Sequence, residues 1–401
     1  MIIRALLTYM GVLLIAAACA TQAPPPPPTP VPTSDTSERS FDEAVAVATD
    51  SLTAQLQQRL APSSKPDVKR GVVIDPMVDA LSGQQTAATR LFEERVAERL
   101  RSSPSQLDVM PFQVANLANA QYRLTGTMAR VPSSQAGAPP VFQLNLALTD
   151  LKGGMVVAQS SSLARDEGLD ATPTPYYRDS PVVVKDNVVD GYIATSQTPA
   201  GRPADPVYFE RVATATTVSE ATLAYNSASY SDALALYQTA KAKPGGEQLR
   251  VLNGIYLASL KLGRTSEAED AFGQVVALGL SNNNLGVKFL FNPGTTNFWS
   301  DPQVSGPYGF WLRQIARQAA AAKVCMNVVG HTSRTGSQAY NDRLSLQRAV
   351  YIKRRLDTEA PELASRTKPS GMGFRENLVG TGTDDARDAL DRRVEFKITG
   401  C

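Results

Sequence analysis

The chain has 401 residues, 43% hydrophobic and 19% charged, with 40 Lys and Arg against 38 Asp and Glu for a net charge of +2. That is material for two or three folded domains, and so even a balance offers no field for nucleic acid or an acidic membrane surface. One His and three Cys exclude more: a Cys/His zinc site would use nearly all of them, and a Ser-His-Asp triad would have to use His331, so composition favours a binding or scaffolding protein over an enzyme.

Met1 to Arg4 supplies a positive start, and residues 5–18 are apolar apart from Thr8, Tyr9 and Gly11. The stretch falls short of the roughly 20 residues that span a bilayer and reads as a targeting segment. It ends in Ala16-Ala17-Ala18-Cys19, which resembles the lipobox of bacterial lipoproteins, with Ala where Leu is commoner at the first position. The resemblance implies a signal peptide over 1–19 and acyl chains such as palmitate on Cys19. An ordinary secretory signal with an incidental Cys is the alternative. The proline run that follows favours the anchored form, because an anchored domain needs a tether. Ala20, not Asp, follows the Cys, so the resemblance implies the outer membrane, lipid-anchored on its periplasmic face. Residues 20–40, with Pro24 to Pro28 unbroken, read as an extended spacer rising about 3.1 Å per residue.

From Ser40 the pattern becomes that of a packed domain. Ser40 and Glu43 fit a capping box, and Phe41, Val45, Ala48, Leu52, Leu56 and Leu60 repeat at helical spacing over 41–60. Gly71 to Pro76 is a short strand, and Thr86 to Leu100 a helix with Leu91, Phe92, Val96 and Leu100 on its apolar side. Strands follow at 107–111, 122–129 and 141–149. In the last, Phe142, Leu144, Leu146 and Leu148 alternate with Gln143, Asn145, Ala147 and Thr149, and a Gly turn leads into Met155 to Ala158. This order over 41–165, with "YRLTGTM" before "FQLNLALTDLKGGMVVAQ", resembles the α/β domain of CsgG and LpoB-type periplasmic lipoproteins; an unrelated α+β domain with a common hairpin is the alternative.

Residues 166–215, rich in Pro, Asp, Thr and Tyr, read as a connector with an edge strand at Val182 to Val184. Over 216–281 two helical hairpins follow, in which Ala233 and Tyr237 recur as Ala268 and Phe272. The offset resembles tetratricopeptide repeats, whose period is about 34 residues. Each unit lacks the usual Trp and Leu-Gly pair, and two units fall short of the three that independent stability takes, so the implied role is an inter-domain support or small docking surface.

Residues 285–401 carry the most specific signal. Strand and helix patterns alternate through "VKFLFNPGTTNFWSD", Tyr308 to Ala322, "VCMNVVG", a turn-rich loop and a long helix, then "PSGMGFRENLV" and "LDRRVEFKI" as third and fourth strands. Gly330, His331, Thr332, Ser333, Gly336, Tyr340, Asn341, Leu344, Ser345, Arg348, Ala349, Asp391, Arg392, Arg393, Val394 and Glu395 stand at the spacing of the OmpA C-terminal-like domain, which this segment resembles. The resemblance implies a βαβαββ fold that binds peptidoglycan non-covalently. The whole chain is then a multidomain α+β protein: an N-terminal α/β domain, a short TPR-like helical region and the OmpA-like domain.

A peptidoglycan stem peptide presents carboxylates and, at its diaminopimelate, an ammonium. Arg348 matches the family's carboxylate-binding Arg, whose planar fork suits that group. Asn341 in the first turn of the same helix offers donor and acceptor, and Thr332 belongs to the same motif. The helix N-terminus there adds backbone N–H groups that favour an anion. Ser333 replaces the family's ammonium-binding Asp and brings no countercharge. Three outcomes are open: weaker binding, another acid such as Asp301 or Asp342 in its place, or a different ligand. His331 reads as a structural hydrogen-bonding residue, Lys353-Arg354-Arg355 as a solvated helix face, and Arg393 as an ion-pairing residue of the fold. In the family's sheet the last strand lies antiparallel between the first and second, which implies that Cys325 and Cys401 meet in a disulfide; two buried or frayed thiols are the alternative.

These residues point to an outer-membrane lipoprotein that binds peptidoglycan, links membrane to wall, and holds an envelope protein partner with its upstream domains. The alternative is an assembly or activator factor for a cell-wall synthase, secretion or motility complex. No nucleophile–base pair, metal set or cofactor motif suggests catalysis.

Overall fold

The computed structural model describes residues 37–60, 69–102, 107–135, 137–181, 185–283, 285–380, 382–384 and 387–401. The signal segment, Cys19, most of the tether and the expected edge strand at 182–184 lie outside these residues. Residues 34–401 cluster as one compact unit. No helix among the described residues is long and apolar enough to cross a membrane.

The first part runs β1 (Glu38–Arg39), α1 (Phe41–Arg59), β2 (Arg70–Ile74), β3 (Val78–Asp79), α2 (Ala87–Ser102), β4 (Leu107–Met110), α3 (Val114–Leu117), β5 (Ala120–Val131), β6 (Val141–Asp150) and β7 (Val156–Arg165). Its sheet has the order β1-β7-β6-β5-β2-β4, with β3 pairing β5. The end of the expected tether is therefore already strand: Glu38 and Arg39 pair in parallel with Leu163 and Ala164. Capping begins α1 as its sequence demands, since the Ser40 N–H donates to Glu43 Oε2 at 3.3 Å. The helix then lies on β7, where Ala158, Ser160, Ser162 and Ala164 are small enough to let it approach. Ser160 Oγ donates to the Ala48 carbonyl at 2.7 Å and Ser162 Oγ to Ala44 at 2.8 Å.

The other face of this sheet departs from the one-sided alternation expected of β6. Asn145, Ala147 and Thr149 are as buried as the leucines between them. What covers them is the segment expected to be a connector, which is helical: α4 (Pro175–Asp179), α5 (Asn187–Ser196) and α6 (Pro206–Phe209). The α5 helix forms because Asp186 caps it, accepting from the N–H groups of Val188 and Val189 at 3.1 and 3.0 Å. Its Tyr192 hydroxyl donates to the Gly126 carbonyl and accepts the Gly126 N–H, both at 2.9 Å, and Ser196 meets Thr127 at 3.0 Å. The polar residues of the strands are thus matched to a polar helix face, which periodicity alone reads as exposure.

Beside this contact Arg123 is fully buried, its guanidinium stacked 3.9 Å from the Tyr208 ring centroid and paired with Asp75, which also accepts from Tyr208 at 2.7 Å. The cluster lines a cavity of about 510 Å³ shared with Glu93. Burial, reinforced by the Asp75 charge and opposed by the Met77 N–H, pushes the Glu93 carboxyl up to about 7.

The remaining helices are α7 (Val212–Asn226), α8 (Tyr230–Lys241), α9 (Leu249–Lys261) and α10 (Thr265–Ser281). They form two hairpins, with Ala233, Tyr237, Ala268 and Phe272 all fully buried. A Cβ on Gly254 would fall into the Tyr237 ring, so α9 can pass Tyr237 only there. The C-terminal part adds β8 (Phe289–Leu290), α11 (Pro302–Ser305), α12 (Tyr308–Ala321), β9 (Cys325–Gly330), α13 (Gln338–Glu359), β10 (Thr367–Gly371) and β11 (Arg393–Thr399). One apolar core runs through both. Trp311 of α12 stacks on Phe272 at 5.3 Å and donates from Nε1 to the Tyr256 hydroxyl at 3.0 Å. The third layer that two hairpins lack is supplied by α12.

The second sheet has the order β10-β9-β11-β8, with β11 antiparallel to both β9 and β8 and β10 parallel to β9. Thr399 of β11 therefore faces Cys325 of β9, and Cys401 joins Cys325 in a disulfide with Cα atoms 5.1 Å apart, closing 76 residues. The third strand is shorter than the span 369–379 read from sequence. It ends at Gly371, beyond which the chain turns through Gly373 at φ +54°.

Two outcomes follow. Glu93 holds its proton more tightly folded than unfolded, so its contribution is complete below about pH 4.5 and is lost as pH rises through about 7. Glu93→Gln, which keeps an acceptor for Met77, should leave stability at pH 4 unchanged and raise it at pH 8 by on the order of 2 kcal/mol in denaturant titrations. Thiol labelling without reductant should find neither Cys325 nor Cys401 reactive, and reduction should expose both at a cost of about 2–4 kcal/mol.

Candidate functional site

Strand topology brings the site together. With β11 antiparallel to its neighbours, β8, β9 and β10 run the same way, so the loops that follow them leave one end of the sheet, where β11 also begins. Residues 291–301, 331–337, 372–380, 382–384 and 387–392 meet there, far apart in sequence.

Gly330 ends β9 where α13 lies directly on the strand: a Cβ would collide with the Ser345 carbonyl oxygen. His331 follows, fully buried, its N–H donating to the Arg393 carbonyl at 2.8 Å and its Nε2 lying 3.3 Å from Glu395 Oε1. Burial lowers the imidazole pKa despite Glu395, so the ring is neutral at physiological pH. Glu395 in turn pairs with Arg393 at 2.8 Å, as expected of a structural arginine. His331, Glu376 and Glu395 bring three potential metal ligands within 4.8 Å of one another. Arg393 on Glu395 and Lys397 on Glu376 at 2.9 Å already balance those carboxylates, so the donor set is a neutralised ion-pair cluster.

Arg348 on α13 is fully buried and donates to three backbone carbonyls: Nε to Thr295, Nη1 to His331 and Nη2 to Asn292, each at 2.9 Å. Burial, with the nearby Arg392 charge, lowers its pKa to about 10, so it stays charged. Three of its five N–H groups are engaged, which leaves one on each terminal nitrogen. Asn341 is equally enclosed, its Nδ2 donating to the carbonyls of Thr335 at 2.9 Å and Ser337 at 3.2 Å. Thr332 donates its N–H to Gly373 at 2.8 Å, and its hydroxyl has no partner.

The two acids weighed in place of the missing Asp are elsewhere occupied. Asp301 caps α11 by accepting from Gln303 at 2.8 Å, and Asp342 pairs with Arg375 at 2.6 Å. A different acid meets Ser333. Its Oγ donates to Asp384 Oδ1 at 2.5 Å, Thr335 Oγ1 donates to Oδ2 at 2.6 Å, and Arg392 Nη1 lies 3.0 Å from Oδ1. Burial acts to raise the Asp384 pKa, but these three donors hold it below the usual carboxylate range. The buried carboxylates of a short 3-10 turn, Arg387–Asp391, shape this loop. Asp391 accepts from the N–H groups of Leu378, Val379 and Gly380 at 2.6, 3.0 and 2.7 Å, which holds this segment as a loop beyond the end of β10. Asp388 accepts from Thr383 and Asp384, both at 3.0 Å. Motif spacing signalled Asp391 and Arg392, but Asp384 stands 51 residues from Ser333 with no signal of its own. Of the expected solvated stretch Lys353-Arg354-Arg355 only Arg354 is exposed; the Lys353 side chain is largely enclosed, pairing with Asp357 at 2.7 Å and donating to the Ala364 carbonyl at 3.2 Å.

The four-stranded sheet and its loop cluster define the class: an α+β domain with a set of buried polar groups gathered at one sheet end. Residues 291–390 match the family model of OmpA, so the chain carries an OmpA-family domain at its C-terminus. The outer membrane protein Omp38 of Acinetobacter baumannii is 38% identical over 73 residues, 18% of this chain and 20% of that protein. The probable lipoprotein YiaD of Escherichia coli is 35% identical over 77 residues, 19% and 34%. Outer membrane protein A of Bordetella avium is 33% identical over 118 residues, 29% and 59%. The chain thus spans less than two thirds of the length of each. Among solved structures, the peptidoglycan-associated lipoprotein from Burkholderia pseudomallei aligns at 19% identity with a TM-score of 0.24, covering 28% of this chain and 89% of that one. The cell wall anchor of the T6SS from Pseudomonas aeruginosa aligns at 24% with a TM-score of 0.23, covering 28% and 76%.

Asp391→Asn would set an amide N–H₂ against backbone N–H groups that now meet a carboxylate. It should cost about 2–3 kcal/mol in denaturant titrations and speed hydrogen exchange at Leu378 to Gly380.

Proposed function

We propose that this chain binds peptidoglycan non-covalently through residues 285–401 and ties the outer membrane to the cell wall. The observation that carries the reading is the coincidence of the OmpA-family match with the convergence of Thr332, Ser333, Asn341 and Arg348 at one end of the sheet. The two remaining N–H groups of Arg348 take a carboxylate of the stem peptide, and Asn341 and Thr332 frame the loop beside it. Cys19 carries the lipid anchor, the proline-rich stretch spans the gap, and residues 41–281 hold a second envelope protein near the wall.

Full-length protein should co-sediment with purified sacculi and be displaced by soluble muropeptides; failure to sediment would sink the reading. Arg348→Lys keeps the charge and loses the fork that also bonds Asn292, Thr295 and His331, so it should lower the melting temperature and, at a temperature where the variant is still folded, weaken sedimentation about tenfold. Cys19→Ser should move the chain from the outer-membrane to the soluble fraction.

A further inference from the structure

The cavity beside Arg123 shares no residue with the loops around Arg348 and plays no part in the peptidoglycan reading. Its volume of about 510 Å³ is that of a small-molecule site, and it lies between the first sheet and the helical hairpins, with α2 on one side and α7 on the other. Aromatic rings line much of the interior: Phe112, Tyr177, Tyr192 and Tyr208. On α7, Val218 is a buried part of the wall, whereas Leu223 lines the same cavity and is 58% exposed, which marks the mouth.

The polar chemistry inside is one-sided. The Tyr208 and Phe112 rings pack on the buried Arg123 guanidinium at 3.9 and 4.8 Å. Its Nη2 bonds Asp75, but Nε and Nη1 are buried without an acceptor among the described residues. Those two nitrogens carry three of the five N–H groups. Arg348, by contrast, sets all three of its nitrogens on carbonyls. Arg250 lines the cavity too, and its Nε also lacks an acceptor. Buried donors are ordinarily bonded, because a group taken from water without a new partner loses a hydrogen bond and gains none. The inner acids do not close this gap. Asp75 accepts from Arg123 and Tyr208, and Glu93 accepts the Met77 N–H and keeps its proton up to about 7.

Charge narrows the ligand further. Asp75 balances Arg123, while Arg250 lies in the field of Asp186 and Tyr177, which hold its pKa up against burial. Neither inner arginine therefore brings an uncompensated charge, and the open donors suit a monoanion better than a phosphate dianion. A planar carboxylate matches the edge of a guanidinium whose faces meet rings, and the remaining tyrosines offer faces and edges to an aromatic body. We propose that this cavity binds a small aryl carboxylate, with its carboxylate on the open edge of Arg123 and its ring among the tyrosines.

Titration calorimetry of the full-length protein with 4-phenylbutyrate and 4-phenylbutylamine tests this at pH 6, where Glu93 keeps its proton. The probes share a phenyl ring on a short chain and differ in the charged head. The carboxylate should bind once per chain and about tenfold or more tighter than the amine. Leu223→Trp, which narrows the mouth from an exposed position, should weaken phenylbutyrate binding about tenfold while melting temperature and sacculus sedimentation stay as in the wild type. Arg123→Lys keeps a charge beside Asp75 but has no such edge, and should abolish the preference for the carboxylate. Amine binding as tight as phenylbutyrate overturns the assignment, and so does binding of neither probe. Phenylbutyrate binding unchanged in Leu223→Trp puts the probe elsewhere and overturns the site, whether or not Arg123→Lys folds. A folded Arg123→Lys chain that keeps the full preference overturns the role of Arg123.

Discussion

A guanidinium removed from water is costly unless its donors find acceptors, and Arg348 finds them in the backbones of two loops that the sheet delivers to the same place. Its bonds to Asn292 and Thr295 on one side and His331 on the other cross-link the chain after β8 to the chain after β9. The rest of the site is built around that link. Arg392 repeats the device at the entry to β11, exchanging bonds with Phe291 while its guanidinium lies 5.2 Å from the Trp299 ring.

Those carboxylates do two kinds of work. Asp388 and Asp391, both fully buried, accept backbone N–H groups and so shape the loop before β11. Asp384, held by that loop, meets side chains and solvent instead. A loop shaped by internal acids can present an outward-facing one at a fixed point, here beside the Ser333 hydroxyl.

The same economy of packing operates away from the site. The two helical hairpins close their core against α12 of the second sheet's layer through Phe272, Tyr256 and Trp311. The first sheet closes its polar face against α5 through Tyr192 and Ser196. Each part uses its neighbour in the chain as its missing layer, and residues 34–401 accordingly form one compact unit.

Local information settled a good deal. The capping residues and apolar period of α1, the Ala and aromatic positions of the hairpins, and the order of strands and helices after residue 285 all follow from short-range pattern, because capping and periodicity involve neighbours a few residues apart. The motif around Gly330 and Arg348 was legible for the same reason. Three things were not. Segment 166–215 looks like a connector, since its helices are short and bury polar as well as apolar residues against a sheet. The third strand looks longer than it is, because the acid that accepts the N–H groups of Leu378 to Gly380 comes from 391. Asp384 looks like one acid among many, since only the ordering of β8, β9 and β11 brings its loop beside Ser333. Sequence determined which residues could pair; tertiary structure decided which did, because charge and hydrogen bonds act through space and a loop's partner is set by the strands that carry it.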